Sequence, residues 1–552
     1  MKNSPVFWIL RQIRSRIPAL VLLVIAQSAH ALLSVFFALG TRAVIDSAVA
    51  RDVQLFFRAC LQQFAIIFGI ILCLTIARHL RERLAADLEM DWKQKLLHGL
   101  LHSDYAAISQ YHSAELLNRL NNDVARVNGG VLSILPNTAS MVTRLLAAVL
   151  VLGSLDIRFT LVIAALGVLV FAVTSLMRRK LKDLNKRVSE HDGKVSGFLQ
   201  ETMEKLLMVQ AMDVSTEVER RSDVLLTDRY AIQRKRKNIS LVSNTCVSLM
   251  SYGSGFVALI WCAHRVLLGL MSFGSLTAVT QLVSQLQMPF TNLSGVLPQY
   301  LTMIASAERL MELEPILGEP VEACGEPQKI YADMRAVCAD ELCFAYDREQ
   351  ILDHAEFSLK KGEFAVIAGH SGIGKSTLLK LLLGVFQPAS GRVYLDLGDT
   401  QMPLDRATRG LFAYVPQGNL LLSGTLRDNI TITNPNATEE QIRQAVQISA
   451  MDDFLPSLPM GLDTRLGESG AGLSEGQAQR LAIARAIVSG APILLLDECT
   501  SALDEETERK VLLNLKSLPD RTCLAVTHRP AAMELCDWKL EIHDGKICAV
   551  KM

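Results

Sequence analysis

The spacing of apolar and polar positions divides the chain into two kinds of sequence. Long charge-poor runs crowd roughly the first 300 residues, and the remainder alternates between short apolar runs and amphipathic stretches. A bilayer core needs about 20 mostly apolar residues per helix. Six stretches meet that length: 17–39, 60–76, 137–155, 160–177, 241–262 and 275–298. The first and second, third and fourth, and fifth and sixth are joined by short links. The other two connections each run to about 60 residues, and both are charged and helical in pattern. From 314 to 329, three Pro and two Gly fall without hydrophobic periodicity, which predicts a linker. The division is therefore an all-α six-span region at 1–313, a linker at 314–329 and an α/β region at 330–552.

Charge gives the spans a direction. Arg178, Arg179, Lys180, Lys182, Lys186 and Arg187 follow the fourth span, and Arg234, Lys235, Arg236 and Lys237 precede the fifth. The short links hold only scattered charges, among them Arg51, Asp156 and Arg265. An excess of Lys and Arg marks cytoplasmic loops, so the long connections, both termini and the α/β region are expected in the cytosol of a cell-membrane protein. The apolar stretch after the basic N-terminus has no small-residue cleavage site behind it and reads as a retained span. Formal net charge is +0, which offers nothing to a nucleic acid. The eleven Cys contain no CxxC pair, so zinc and dithiol chemistry are not expected, and reduced thiols facing a cytosol are.

Chemistry gathers in the α/β region. Gly369-His-Ser-Gly-Ile-Gly-Lys-Ser-Thr377 fits GxxxxGK[ST], between an apolar strand at 364–368 and a helical stretch from Leu378. In such a loop, Gly369, Ser371, Gly372 and Gly374 allow backbone amides to close around phosphates, and Lys375 adds a point charge. Ser376 offers a hydroxyl to Mg2+, and Thr377 sits at the helix start. Ile493-Leu-Leu-Leu-Asp-Glu498 is an apolar strand ending in two acids. Asp497 is placed to hold Mg2+ through water, and Glu498 to act as general base on the attacking water. ATP and Mg2+ are the cofactors expected.

Two further segments carry a resemblance to the ABC transporter superfamily, in its exporter-type half-transporter form. Leu473-Ser-Glu-Gly-Gln-Ala-Gln-Arg480 resembles the ABC signature, and Tyr111-His-Ser-Ala-Glu-Leu-Leu-Asn-Arg-Leu-Asn-Asn-Asp123 resembles the first coupling region of the exporters. Phe198 to Met212 is similar to the second coupling region, and Ala305 to Leu313 to the exit from the sixth span. The resemblance implies that Ser474, Gly476 and Gln477 meet the γ-phosphate of ATP held by an opposite domain. It implies that Tyr346 stacks on adenine, that Gln417 meets Mg2+ and the attacking water, and that His528 senses the γ-phosphate. It also implies that Ser501-Ala-Leu-Asp504 is a dimer-contacting loop. Two departures stand out: Ala114 replaces the usual Gly, and Glu475 replaces the second Gly of the signature. An acid there suits a helix start but brings negative charge near a triphosphate.

The expected function is ATP-driven export or flipping of an amphiphile, lipid, drug or peptide by a dimer. The second half-transporter is expected to be an identical chain, because every motif for two working sites is present. The alternatives are an ATP-gated channel or regulatory protein, or one half of a heterodimer. No peptidase domain precedes the first span, so leader-peptide processing is not expected. For the substrate path, Gln281, Gln285, Met288, Asn292 and Gln299 share a stripe of the sixth span, flanked by Ser284 and Gly295. The stripe faces either a cavity or neighbouring helices. Arg144 lies inside the third span, and none of the six spans holds a carboxylate. It reaches the interface, meets backbone carbonyls, or meets an anionic ligand.

Overall fold

The computed structural model describes residues 4–346, 349–370, 372–418, 421–467 and 472–552, and leaves the side chains at 164, 168–180, 182, 247, 288–295 and 297 undescribed. Its contacts form two units: Met1–Leu97 with Ser113–Pro315, and His98–His112 with Ile316–Met552.

The first unit is helical. A short α1 (Pro5–Gln12) precedes α2 (Ile17–Val49) and α3 (Val53–Leu101). Beyond α4 (Tyr105–Ile108) and α5 (Ser113–Asn118), a π-type turn leads into α6 (Val124–Leu155). Then come α7 (Ile157–Glu204), the short α8 (Leu206–Ala211), α9 (Ser215–Leu267) and α10 (Phe273–Leu313). Four helical segments among the described residues are long and apolar enough to cross a membrane: Arg14–Val49, Val53–Leu101, Ser113–Leu155 and Ser215–Leu267. The predicted fourth and sixth spans fall on α7 and α10, where much of the apolar stretch lies outside the described side chains. Helices α2, α6, α7, α9 and α10 meet around Val35, Leu152, Phe159, Ala258 and Leu282.

The short links are tied together by charge. Asp156 caps α7 by accepting from the amides of Arg158 and Phe159 at 3.1 and 3.2 Å. The same carboxylate pairs with Arg265 and accepts from Trp261 Nε1, both on α9. Asp46, near the end of α2, accepts from Ser272 Oγ and the Gly274 amide at 2.9 Å each. Charges that look scattered in the sequence thus hold the same ends of four helices together.

The expected first coupling region, Tyr111 to Asp123, is divided between the two units. Residues 113–123 pack in the helical unit, and 98–112 join the second unit. Asp123 is fully buried and accepts from Ser306 Oγ at 2.9 Å and Arg309 Nε at 2.8 Å. Arg119 donates to the Arg309 carbonyl and pairs with Glu115 and Glu312. A buried charge is tolerated only when paired and hydrogen-bonded, so these two motif stretches serve as each other's packing partners.

The second unit is α/β. After α11 (Pro327–Asp333), which begins inside the expected linker, come β1 (Ala336–Tyr346), β2 (Glu349–Lys360) and β3 (Phe364–Ala368). They are followed by α12 (Lys375–Leu382), β4 (Ser390–Asp396), β5 (Gln401–Pro403), β6 (Phe412–Val415), β7 (Gly424–Thr425), α13 (Leu426–Thr431), α14 (Glu439–Ile448) and β8 (Arg465–Leu466). The unit closes with α15 (Glu475–Val488), β9 (Ile493–Asp497), α16 (Glu505–Lys516), β10 (Thr522–Val526), α17 (Pro530–Leu535), β11 (Trp538–His543) and β12 (Lys546–Lys551). One antiparallel sheet runs β2-β1-β4-β5. The central sheet runs β12-β11-β3-β10-β9-β6, parallel except for β12 at its edge. All residues of β3, β9 and β10 are buried, as expected of parallel strands covered on both faces.

Candidate functional site

The carboxyl ends of four neighbouring parallel strands build the site. Leaving β3, the chain enters the glycine loop; leaving β9, it reaches Asp497 and Glu498. From β10 it passes to His528, and from β6 to Gln417. Parallel strands bring loops distant in sequence to one edge, where open α/β sheets bind ligands.

Gly369, Gly372 and Gly374 have φ of 149°, 83° and 107°, a region that side chains disfavour. At Gly374 an added Cβ would also lie 2.3 Å from Ile351 Cγ2. Ser371 lies outside the described residues. Lys375 opens α12 and is buried. Its ammonium donates to the carbonyls of Gly369 and His370 at 2.7 and 3.1 Å and to His528 Nε2 at 2.8 Å. An ammonium has donors only, so Nε2 of His528 accepts and its proton sits on Nδ1. Burial pushes the Lys375 pKa down, against the pull of Glu498 and Asp497.

Ser376 Oγ donates to Asp497 Oδ1 at 2.9 Å. Tyr414, which the sequence reading missed, donates its hydroxyl to Asp497 Oδ2 at 3.3 Å. Burial pushes the Asp497 carboxyl up, despite both hydrogen bonds. Glu498 takes φ of 48°, unusual for a residue with a side chain and a cost of about 1–3 kcal/mol. Its amide is held by the Val526 carbonyl at 2.9 Å, and its carboxylate accepts from Gln417 Nε2 at 2.7 Å. The donor set of hydroxyl, carboxylate and amide oxygens is hard and suits Mg2+. Six of the expected residues therefore meet in three bonded pairs: Ser376 with Asp497, Gln417 with Glu498, and Lys375 with His528.

Tyr346 is set by neighbouring rings. It stands edge-on to Phe344 and Phe386, with centroids 4.9 and 5.5 Å away, and its hydroxyl lies 3.3 Å from Thr377 Oγ1. Phe386 also meets Tyr105 of α4 edge-on at 6.0 Å. Arg406 pairs with Asp104 and donates to the His102 carbonyl. The 98–112 segment thus rests on the aromatic group beside the phosphate loop. No motif announced Phe386 or Arg406, because their partners in the 98–112 segment lie more than 250 positions away in sequence.

The signature is built differently. Ser474 caps α15, and with Gln477 it forms a capping box: Gln477 N donates to Ser474 Oγ at 3.3 Å, and Ser474 N to Gln477 Oε1 at 2.9 Å. Glu475 is exposed in the first turn. At Gly476 an added Cβ would lie 2.9 Å from the Ala502 carbonyl. Gln479 bonds Ser501 Oγ and the Ala502 amide at 3.0 Å each, so α15 is tied to the 501–504 loop. Asp504 caps α16 through the Thr507 amide at 2.9 Å, and that amide holds its carboxyl below the usual range. Arg529 grips the same loop at the carbonyls of Ser501 and Leu503. Among the described residues no hydrogen bond joins Ser474, Gly476 or Gln477 to the phosphate loop.

The family model for the ABC transporter transmembrane region matches residues 17–290, and the ABC transporter model matches residues 352–501. The chain is 29% identical over 465 residues to a probable ABC transporter ATP-binding/permease protein of Haemophilus influenzae, covering 82% of each. It is 31% identical over 410 residues to the beta-(1-->2)glucan export ATP-binding/permease protein NdvA of Brucella suis, covering 71% of this chain and 66% of that one. With the alpha-hemolysin translocation protein HlyB of Escherichia coli it shares 31% identity over 68% of its own length and 52% of HlyB. A bacterial Atm1-family ABC exporter, solved with ATP bound, has the same fold: TM-score 0.76 at 23% identity, over 97% of this chain and 94% of that one.

Proposed function

The chain belongs to the ABC transporter family, as a multi-pass membrane protein whose ATPase drives export, and from that premise we propose that two identical copies form the working exporter. One observation carries the proposal: the phosphate loop is present and the signature keeps Ser474, Gly476 and Gln477, yet among the described residues no hydrogen bond joins the two within the chain. A signature that serves an opposite domain needs a second copy to complete each site. The apolar tip around α8 points the same way, with Leu207 at 81% and Met212 at 67% exposure. Residues of that kind are stable in water only when covered.

In this reading Lys375 and the glycine-loop amides hold the phosphates of ATP, and Tyr346 meets its adenine. Ser376, Asp497 and Gln417 would hold Mg2+, which neutralises charge developing on the phosphates when bound. Glu498 accepts the proton of the attacking water, with Gln417 fixing its carboxylate. His528, whose Nε2 now accepts from Lys375, senses the γ-phosphate. The basic connections face the cytosol, and the substrate is an amphiphile taken from the cytoplasmic side.

Two glutamines of the stripe bond to neighbouring helices. Gln285 Nε2 donates to the Ser34 carbonyl at 2.7 Å and Gln299 Nε2 to Ser133 Oγ at 2.6 Å, so both serve helix packing. Gln287, off the stripe, does the same with Ser251 and Ser254. Met288, Asn292 and Gly295 lie outside the described side chains. Mass measurement of the purified chain in detergent, with ATP turnover on the same sample, tests assembly. A stable dimer of this chain alone that hydrolyses ATP is expected, and an inactive monomer would sink the homodimer. Stimulation by a moved solute in liposomes is expected of a pump and not of a gate.

A further inference from the structure

Helices α2, α3 and α6 enclose a cavity of about 270 Å³ lined by Gln27, His30, Leu74, Ala77, Arg78, Arg81, Asn137 and Ser140. The lining falls into three helical stripes: 27 and 30 on α2, 74, 77, 78 and 81 on α3, and 137 and 140 on α6. Each is spaced by three or four residues, so each helix presents one face to the cavity. Arg144 follows Ser140 on the same face of α6, one turn on.

The charge in this cavity is all of one sign. Two of its side chains are guanidiniums and a third is imidazole, and none of the lining residues is an acid. Arg81 is steadied by neutral acceptors instead. It donates to Asn137 Oδ1 at 3.3 Å. With its amide turned so that both atoms are satisfied, Gln27 accepts from Arg81 at 2.7 Å and donates to the Pro136 carbonyl at 3.2 Å. Other acids of α3 are occupied or turned away: Asp87 and Asp91 pair with Arg16 and Glu89 with Lys93, and Glu82 is exposed and outside the lining. Arg78 and Arg81 lie two and five residues past the apolar run that ends at Ile76. They therefore follow directly on the end of the second predicted span.

We propose that this cavity is a binding site for the anionic headgroup, phosphate or carboxylate, of an amphiphile. Amides can orient a guanidinium but leave its charge uncompensated, and uncompensated charge near hydrocarbon is costly. An anion supplies the missing charge, and the planar fork of Arg matches both oxyanions. The volume lies just under the usual range for whole ligands. It therefore takes a headgroup and leaves acyl chains outside. The proposal rests on the exporter reading and names the chemistry of its substrate.

The test is binding rather than transport, so that its failure leaves the exporter reading standing. The purified full chain in nonionic detergent is titrated with short-chain phosphatidic acid and, separately, with short-chain phosphatidylcholine, read by native mass spectrometry. An Arg78→Gln/Arg81→Gln variant should lose about tenfold in affinity for phosphatidic acid and change little toward phosphatidylcholine. Arg78→Lys/Arg81→Lys, which keeps the charge, should retain most of the binding. Elution and melting of all three proteins establish that they are folded alike. Competition by inorganic phosphate would support the same site with a soluble anion as its source. Phosphatidic acid binding within about twofold of wild type in the Gln variant would overturn the proposal.

Discussion

Two anion-facing ends of the second unit, the phosphate loop and the signature helix, are built on opposite plans. At the phosphate loop, glycines at positive φ stand beside buried strand ends, and the polar groups are already bonded in pairs: hydroxyl to acid, amide to acid, and ammonium to imidazole. At the signature, a capping box occupies the helix end, the neighbouring side chain is an exposed acid, and the bonds run to the 501–504 loop. The first arrangement organises the proposed catalytic groups inside one chain. The second only presents a surface. On the proposed reading of the signature as half of a shared site, its polar groups cap each other in the single chain.

The sharpest way to break this contrast is at the base. Glu498→Gln keeps the shape and the bond to Gln417 while removing the proton acceptor. ATP turnover should fall by about 10²–10⁴-fold with nucleotide still bound, as read by phosphate release and filter binding. Near-normal turnover would remove Glu498 from its role. Lys375→Ala removes a charge-assisted donor from the same face and should weaken ATP binding by about 10–100-fold. A variant that binds normally but turns over slowly would move the lysine from binding to catalysis.

The signature side should respond through assembly. Gly476→Ala places a Cβ 2.9 Å from the Ala502 carbonyl. The shifted loop should lower turnover by about tenfold, about 1.4 kcal/mol, with ATP binding to the phosphate loop intact. Mixing it with Lys375→Ala chains should restore part of the activity, since one mixed site then has both halves sound. Absence of rescue would argue that each chain works alone. Ser474→Ala should cost about 1 kcal/mol in the melting of α15 through the lost cap. An unchanged melting profile would show that the capping box contributes nothing.

The smallest effect concerns the aromatic contact between α4 and the phosphate-loop side. A double-mutant cycle on Tyr105→Ala and Phe386→Ala should give about 0.5–1.5 kcal/mol of interaction in thermal unfolding. Additive losses would mean the rings are neighbours without being partners.

Legibility in the sequence followed the range of the interactions. A phosphate loop, a pair of acids after an apolar strand and a capped signature each lie within about ten consecutive residues. Their chemistry depends on local backbone geometry, so Lys375, Ser376, Asp497 and Glu498 could be named without coordinates. The alternation of apolar runs likewise gave the helical and α/β halves, because burial of apolar surface is written residue by residue. Tertiary structure alone decided which partner each long-range group would take. Asp123 found Arg309 and Ser306, Gln285 and Gln299 turned to neighbouring helices, and the division between the two units fell after His112. It also gathered Arg78, Arg81 and His30 around one cavity without an acid among the lining. A polar group inside a helix bundle must bond to something, but helical spacing fixes only the face it points from. What stands opposite that face depends on how the helices pack.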